Sequence, residues 1–239
     1  YLATRLEQIG LEHYFQVPGD YNLQLLDELL KNDNLKMMSC TNELNASYAA
    51  EGYARANGAS ACVITFNVGA FSALNGVAGA YAERLPMIFI SAGYNTNDEA
   101  SGRFLHHTIG TTDYSYQEEM FRHVTCKTVR ILTAEEAPSL IDDAIATALR
   151  ESKPCYIEIA SNLADAECAD PQPRTFERAW DVDYDQEAVE RAASEIAEQI
   201  NAAEKPLLLA GPHLRPYGAI DAFRSVAEAI GCAVAAQPN

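Results

Sequence analysis

Along the first 160 residues, short apolar runs alternate with stretches whose apolar positions recur at three and four. The runs "HYFQV" (13–17), "KMMSC" (36–40), "ACVITF" (61–66), "MIFIS" (87–91), "KTVRIL" (127–132) and "PCYIEIA" (154–160) have strand length, and most are rich in β-branched or aromatic residues. Between them, "YNLQLLDELLKND", "ELNASYAAEGYARANG", "AFSALNGVAGAYAERLP" and "TAEEAPSLIDDAIATALRES" carry helical spacing, and the opening "YLATRLEQIG" reads as an amphipathic helix. Repeated β-α-β order predicts an α/β fold, a doubly wound parallel sheet with helices on both faces. Punctuation agrees with it. Thr133 followed by Glu136 predicts a capping box, and Gly58 predicts a helix stop.

The periodicity lapses over "AECADPQPRTFERAWDVDY" (166–184), where prolines and acids predict a linker. It resumes with the helix "QEAVERAASEIAEQINAAE", the strand "PLLLAG", the helix "AIDAFRSVAEAI" and the strand "CAVAA". One β-α-β unit cannot close a core of its own. The expected organisation is therefore an α/β domain over 1–165, a linker over 166–184 and the start of a second, incomplete α/β domain over 185–239. The chain opens on Tyr1 and its last stretch, "GCAVAAQPN", reads as a strand entering a turn, so a fragment of a longer protein is expected.

Composition changes this picture only by exclusion. Acidic residues outnumber basic ones 34 to 17, and a formal charge of −17 repels phosphate backbones and anionic lipid, which argues against nucleic-acid and membrane partners. No apolar run reaches the roughly 20 residues that cross a bilayer, and the first residues lack the charged-then-apolar order of a signal peptide; a cytoplasmic location is expected. The six cysteines, Cys40, Cys62, Cys126, Cys155, Cys168 and Cys232, are scattered without a C-x-x-C pair, which predicts buried free thiols rather than a disulfide framework or zinc site.

Open α/β sheets bind ligands beyond the carboxyl ends of their strands, so the turns after the strands are read as a set. "VPGDYNL" follows the first and carries Asp20; "TNELNASYAAEGYAR" follows the second and carries Glu43; "NVGAFSALNG" follows the third; the long polar loop "GYNTNDEASGRFLHHTIG" follows the fourth and carries His106 and His107. Taken singly, each has an ordinary reading. Asp20 before a leucine-rich helix makes a good N-cap, Glu43 complements a helix dipole, and neighbouring loop histidines are surface residues, as His13, His123 and His213 are expected to be. Jointly, the fold would bring all four to one rim. No histidine and carboxylate stand at ligand spacing on a helix, so no metal site is expected among these residues.

"VPGDYNLQLLDELL", "CTNELNASYAAEGYARANG", "GAYAERLP" and "LHHTIGTTDYSY" together resemble the N-terminal, pyrimidine-binding domain of the thiamine diphosphate-dependent 2-oxo acid decarboxylases, in order over about residues 1–165. The Gly-Asp turn combined with the double histidine resembles the decarboxylases rather than acetolactate-synthase-like relatives, and "TTDYSY" after the histidines resembles the members acting on pyruvate. The resemblance implies conversion of pyruvate to acetaldehyde and carbon dioxide with thiamine diphosphate and Mg2+, in a site shared between subunits of a homodimer or homotetramer. It implies that Glu43 bonds the pyrimidine ring and favours its imino tautomer, that Thr65 and Val68 pack near that ring, and that Asp20, His106 and His107 relay protons, with Asp20 and His107 toward substrate. A carboxyl of reference pKa ~4.3 needs partial burial to share a proton at neutral pH, whereas histidine near ~6.5 suits the relay unaided. The Gly-Asp-Gly to Asn motif that holds Mg2+ and diphosphate in the family does not occur in these 239 residues, so the resemblance implies half a site, inactive alone.

Other readings stay open on the sequence: a truncated paralogue that regulates a complete subunit without turnover, and a decarboxylase of indolepyruvate or phenylpyruvate. A dinucleotide-binding domain fits poorly, because no G-x-G-x-x-G follows the first strand and Asp20 stands where a pyrophosphate would sit.

Overall fold

The six runs of the first part pair into a single parallel sheet. In a computed structural model describing residues 1–181 and 183–237, the strands are β1 (His13–Gln16), β2 (Lys36–Ser39), β3 (Ser60–Thr65), β4 (Met87–Gly93), β5 (Lys127–Ile131) and β6 (Cys155–Ala160), in the order β2-β1-β3-β4-β6-β5. Val182 of the expected linker and Pro238 and Asn239 of the expected terminal turn lie outside the described residues. The central strands β3, β4 and β6 are buried along their whole length, as a parallel sheet covered on both faces requires, while the edge strand β2 is largely exposed.

Helices α1 (Leu2–Gln8), α2 (Leu23–Leu29) and α7 (Ala137–Glu151) cover one face, packing Leu6, Leu26 and Ile145 against Val63, Ile90 and Ile157. Helices α3 (Glu43–Asn57) and α4 (Val68–Ala82) pack Ala50 and Val77 on the other face, over Cys62, Ile64 and Phe89. They approach closely because α4 is rich in alanine and glycine. A Cβ built on Gly76 would stand 2.3 Å from Ser47 Oγ. Strand order reverses at β1, with β2 on one side of it and β3 on the other, so the carboxyl ends of β1 and β3 flank the crevice where open α/β sheets receive ligands.

A buried ion cluster fastens α1 to α7. Arg5, 4% exposed, meets Asp142 Oδ1 through Nε at 2.6 Å and Oδ2 through Nη2 at 3.1 Å, and Arg174 adds a third bond at 2.7 Å. Arg174 lies in 166–178, a stretch without helix or strand that also buries Phe176 in the core. The chain divides into two compact units, Tyr1–Arg178 and Ala179–Asn239. The second unit holds α8 (Gln186–Ala202), β7 (Leu207–Ala210), α9 (Ile220–Ile230) and β8 (Ala233–Ala236), with β7 and β8 parallel.

Several sequence expectations need correction. The stretch after β4 is not one polar loop; it contains the short helix α5 (Thr96–Ala100), started by Asn95 accepting from Asn97 N, and α6 (Tyr116–Arg122) follows before β5. Thr133 and Glu136 do exchange capping-box bonds, but they form a turn ahead of α7, which starts one residue later. All six cysteines are free, yet only Cys62 and Cys155 are buried and Cys168 is exposed. His13 is no surface residue: it lies half-buried on β1, its ring 5.8 Å from Tyr53. Among the described residues no helix is long and apolar enough to cross a membrane.

Candidate active site

The segment 65–69, at the carboxyl end of β3 and the start of α4, gathers the rim. Gly19, in the turn after β1, lies so close that a Cβ there would stand 2.6 Å from Thr65 Cβ. Gly69 lies likewise against Glu43: a Cβ would meet Glu43 Oε1 at 3.1 Å and Thr65 Cγ2 at 2.9 Å. Phe66 packs its ring edge-on against Tyr21, and its carbonyl accepts from His107 Nδ1 at 3.3 Å. Thr65 and Glu43 are thus neighbours through Gly69, and Asp20 follows the glycine that Thr65 touches.

Asp20 does not cap α2. The N-cap is Asn22, whose side chain instead closes the turn, accepting from Gly19 N at 2.7 Å and donating to the Val17 carbonyl at 3.0 Å. Asp20 is left pointing outward, and its Oδ2 meets His106 Nε2 in a short hydrogen bond, the two side chains 55% and 57% exposed. Tyr21 stacks on the His106 ring at 5.0 Å and donates through its hydroxyl to the His106 carbonyl at 3.2 Å. Burial, with the Asp20 charge, pushes the Tyr21 phenol up to about 12, so it stays a neutral donor. His106 and His107 stand edge to face at 4.7 Å, which His107 achieves with a left-handed φ of 63°. One side-chain donor atom from each of Asp20, His106 and His107 lies within 4.8 Å of the others.

Because a carbonyl oxygen only accepts, the bond to Phe66 places the proton of His107 on Nδ1 and leaves the lone pair on Nε2. Glu43 opens α3 at its first position, after the N-cap Asn42, and is half-buried. Among the described residues its carboxylate has no hydrogen-bond or ion-pair partner. Thr65 Oγ1 is buried and also unpartnered, while Val68, at the start of α4, is exposed. The fold therefore joins Asp20 to His106 directly, sets a ligand atom of His107 within 4.8 Å of both, and brings Glu43 beside Thr65 at Gly69.

Residues 1–120 match the family described as thiamine pyrophosphate enzyme, N-terminal TPP binding domain. The chain belongs to this family. The chain is 51% identical over 239 residues to a probable pyruvate decarboxylase of Schizosaccharomyces pombe and 52% identical over 239 residues to a pyruvate decarboxylase of Neurospora crassa, each match covering the whole chain and 42% of the relative. A pyruvate decarboxylase of Arabidopsis thaliana is 48% identical over 246 residues, of which the chain spans 40%. The chain thus spans about two-fifths of the length of these relatives. In fold, it superposes on a Rhodococcus jostii thiamine diphosphate-dependent 4-hydroxybenzoylformate decarboxylase with a TM-score of 0.79, at 18% identity, over 99% of this chain and 43% of that one.

Two features of the chain are not visible in its sequence alone. Tyr21, which holds His106, stands inside the turn that drew attention for its Gly-Asp pair alone. Glu158 is 2% exposed on β6; Tyr156 donates to it in a short bond and Arg130 Nε reaches it at 3.3 Å. Burial pushes its carboxyl up to about 7 against the opposing pull of Tyr156 and Arg130. The signal was present in an acid placed within the otherwise apolar run "CYIEIA".

Proposed function

We propose that this chain supplies the pyrimidine-binding half of a thiamine diphosphate-dependent 2-oxo acid decarboxylase, acting foremost on pyruvate to release acetaldehyde and carbon dioxide. What carries the reading is the gathering of Asp20, His106, His107 and Glu43 about segment 65–69, at the crevice between β1 and β3. The names of the relatives support pyruvate as substrate.

The residues present suit the cofactor's pyrimidine. A half-buried carboxylate without a partner lies against Gly69, as does the Thr65 methyl, and the buried, unpartnered Thr65 hydroxyl lies against Gly19; the missing side chains of the two glycines leave room there. Thiamine diphosphate, when bound, supplies an acceptor for the electrons released as a 2-oxo acid loses carbon dioxide. Glu43 holds a proton against a pyrimidine ring nitrogen, with Thr65 and Val68 lining the ring. The His106 Nε2 and Asp20 Oδ2 pair carries a proton between them, and His107, with its Nε2 lone pair fixed, is aimed to accept or donate at substrate together with Asp20. Mg2+ is hard and prefers oxygen ligands, so it belongs to residues outside these, as does the diphosphate. The assembled enzyme is a cytoplasmic homodimer or homotetramer in which two subunits complete each site.

The test is decarboxylation by the protein expressed at the full length of its relatives, with thiamine diphosphate and Mg2+. Acetaldehyde release from pyruvate faster than aldehyde release from indolepyruvate or phenylpyruvate is the expected result. Preference for either aromatic acid would move the substrate, and no release from any 2-oxo acid would overturn the reading.

A further inference from the structure

We propose that Asp20, His106 and His107 form a binding site for a divalent transition ion, Zn2+ foremost, separate from the Mg2+ that accompanies the cofactor. Spacing along the chain conceals this set, because the acid and the histidines stand 86 and 87 residues apart and meet only through the fold. Two imidazoles and one carboxylate are the protein ligands of open zinc sites, which keep a further position for water.

Four observations favour this ion. First, the three donor atoms already lie within 4.8 Å of one another, whereas ligands bonded at ~2.0–2.1 Å around a tetrahedral ion stand roughly 3.4 Å apart. The pairs standing farther apart need to close by at most about 1.4 Å, while the Asp20 and His106 pair, already in a short hydrogen bond, parts slightly; the Asp20 side chain, more than half exposed, turns to make both adjustments. Second, His107 donates its Nδ1 proton to the Phe66 carbonyl at 3.3 Å, the outer bond by which metal-binding histidines fix their tautomer and leave Nε2 to ligate. Third, Tyr21 stacks on His106 and bonds its carbonyl, so the ring is held before any ion arrives. Fourth, the net charge of −17 draws cations toward the protein.

The donor set also selects the ion. Imidazole nitrogen suits Zn2+, Co2+, Ni2+ and Cu2+, while Mg2+ demands near-octahedral oxygen ligation. An ion at this site takes the place of the proton shared by His106 Nε2 and Asp20 Oδ2. Zinc occupancy and proton transfer through the pair are therefore mutually exclusive. The site itself stands on the donor geometry and does not depend on the decarboxylase reading.

The experiment is a titration of the 239-residue chain with Co2+ at neutral pH, followed by its visible absorption, with Zn2+ and Mg2+ as competitors. One Co2+ per chain with the intense bands of a tetrahedral site is expected, lost on adding equimolar Zn2+ and kept in a large excess of Mg2+. His106→Ala, His107→Ala and Asp20→Asn should each weaken binding at least about tenfold, while Glu43→Gln leaves it unchanged. Circular dichroism confirms that each variant folds; His106→Gln and His107→Gln, which keep bulk and polarity, serve where an alanine variant does not. Absence of tetrahedral bands, equal binding in the three ligand variants, sulfur-to-cobalt charge transfer, or displacement by Mg2+ would each overturn the proposal.

Discussion

Glu158 and Asp20 both stand near the carboxyl ends of strands in one sheet, and the protein treats them in opposite ways. Glu158 is sealed between β4 and β5, with Tyr156 and Arg130 for company, and burial lifts its carboxyl to about 7. Asp20 is more than half exposed and bonded to a histidine equally open to solvent. A shifted ionisation is a common marker of chemistry, yet here the shifted group belongs to the interior. Asp20, His106 and His107 stand open on the rim, with Glu43 half-buried beside them. Burial distinguishes what the fold needs from what a ligand would complete.

The contrast can be broken most forcefully at the rim. In the full-length protein, Asp20→Asn or His107→Ala should lower turnover by about 10²–10⁴-fold, the usual worth of a positioned acid or base, with thiamine diphosphate still bound. Steady-state kinetics beside a cofactor titration checks this, and normal turnover would remove that residue from the relay. Thermal unfolding should barely move.

The buried ions should behave in reverse. Asp142→Ala strands Arg5 in the core without its carboxylate, and urea unfolding of this chain should show a loss of about 3 kcal/mol or more. A loss below about 1 kcal/mol, the range of an exposed pair, would show that the Arg5 cluster is not the fastening that its burial implies.

Glu158 gives a subtler, pH-dependent effect. Its folded value of about 7 lies above the usual 4.5, so the folded chain binds more protons than the unfolded one between those values. The stabilisation is full below pH 4.5 and is lost as pH rises through about 7. The difference in unfolding free energy between the wild type and Glu158→Gln isolates this group from the other acids. That difference should shift toward the variant by on the order of 3 kcal/mol from pH 4.5 to pH 8. A difference flat with pH would mean that Glu158 titrates normally.

The sheet was legible because buried parallel strands must be apolar, and "ACVITF", "MIFIS" and "PCYIEIA" became β3, β4 and β6. The alternation of strands with helices marked the parallel order. What the chain concealed were meetings between distant residues. Nothing near Asp20 announces that Asn22 takes the capping position and frees the aspartate to reach His106. The glycines 19 and 69 read as turn and helix-start residues, and only the fold shows that Gly19 makes room for Thr65 and Gly69 for both Thr65 and Glu43. His13 was misread because a lone polar side chain on an edge-proximal strand gives no sign of the tyrosine that covers it.

The most direct measurement is hydrogen exchange at the thiazolium C2 of thiamine diphosphate, followed by proton NMR on the full-length protein with either carboxyl changed to its amide. Glu43→Gln should slow exchange by more than about 100-fold, and Glu158→Gln should leave it within about twofold of the wild type. Unchanged exchange in Glu43→Gln, or equal slowing in both variants, would contradict the assignment of cofactor chemistry to the rim and of Glu158 to the interior.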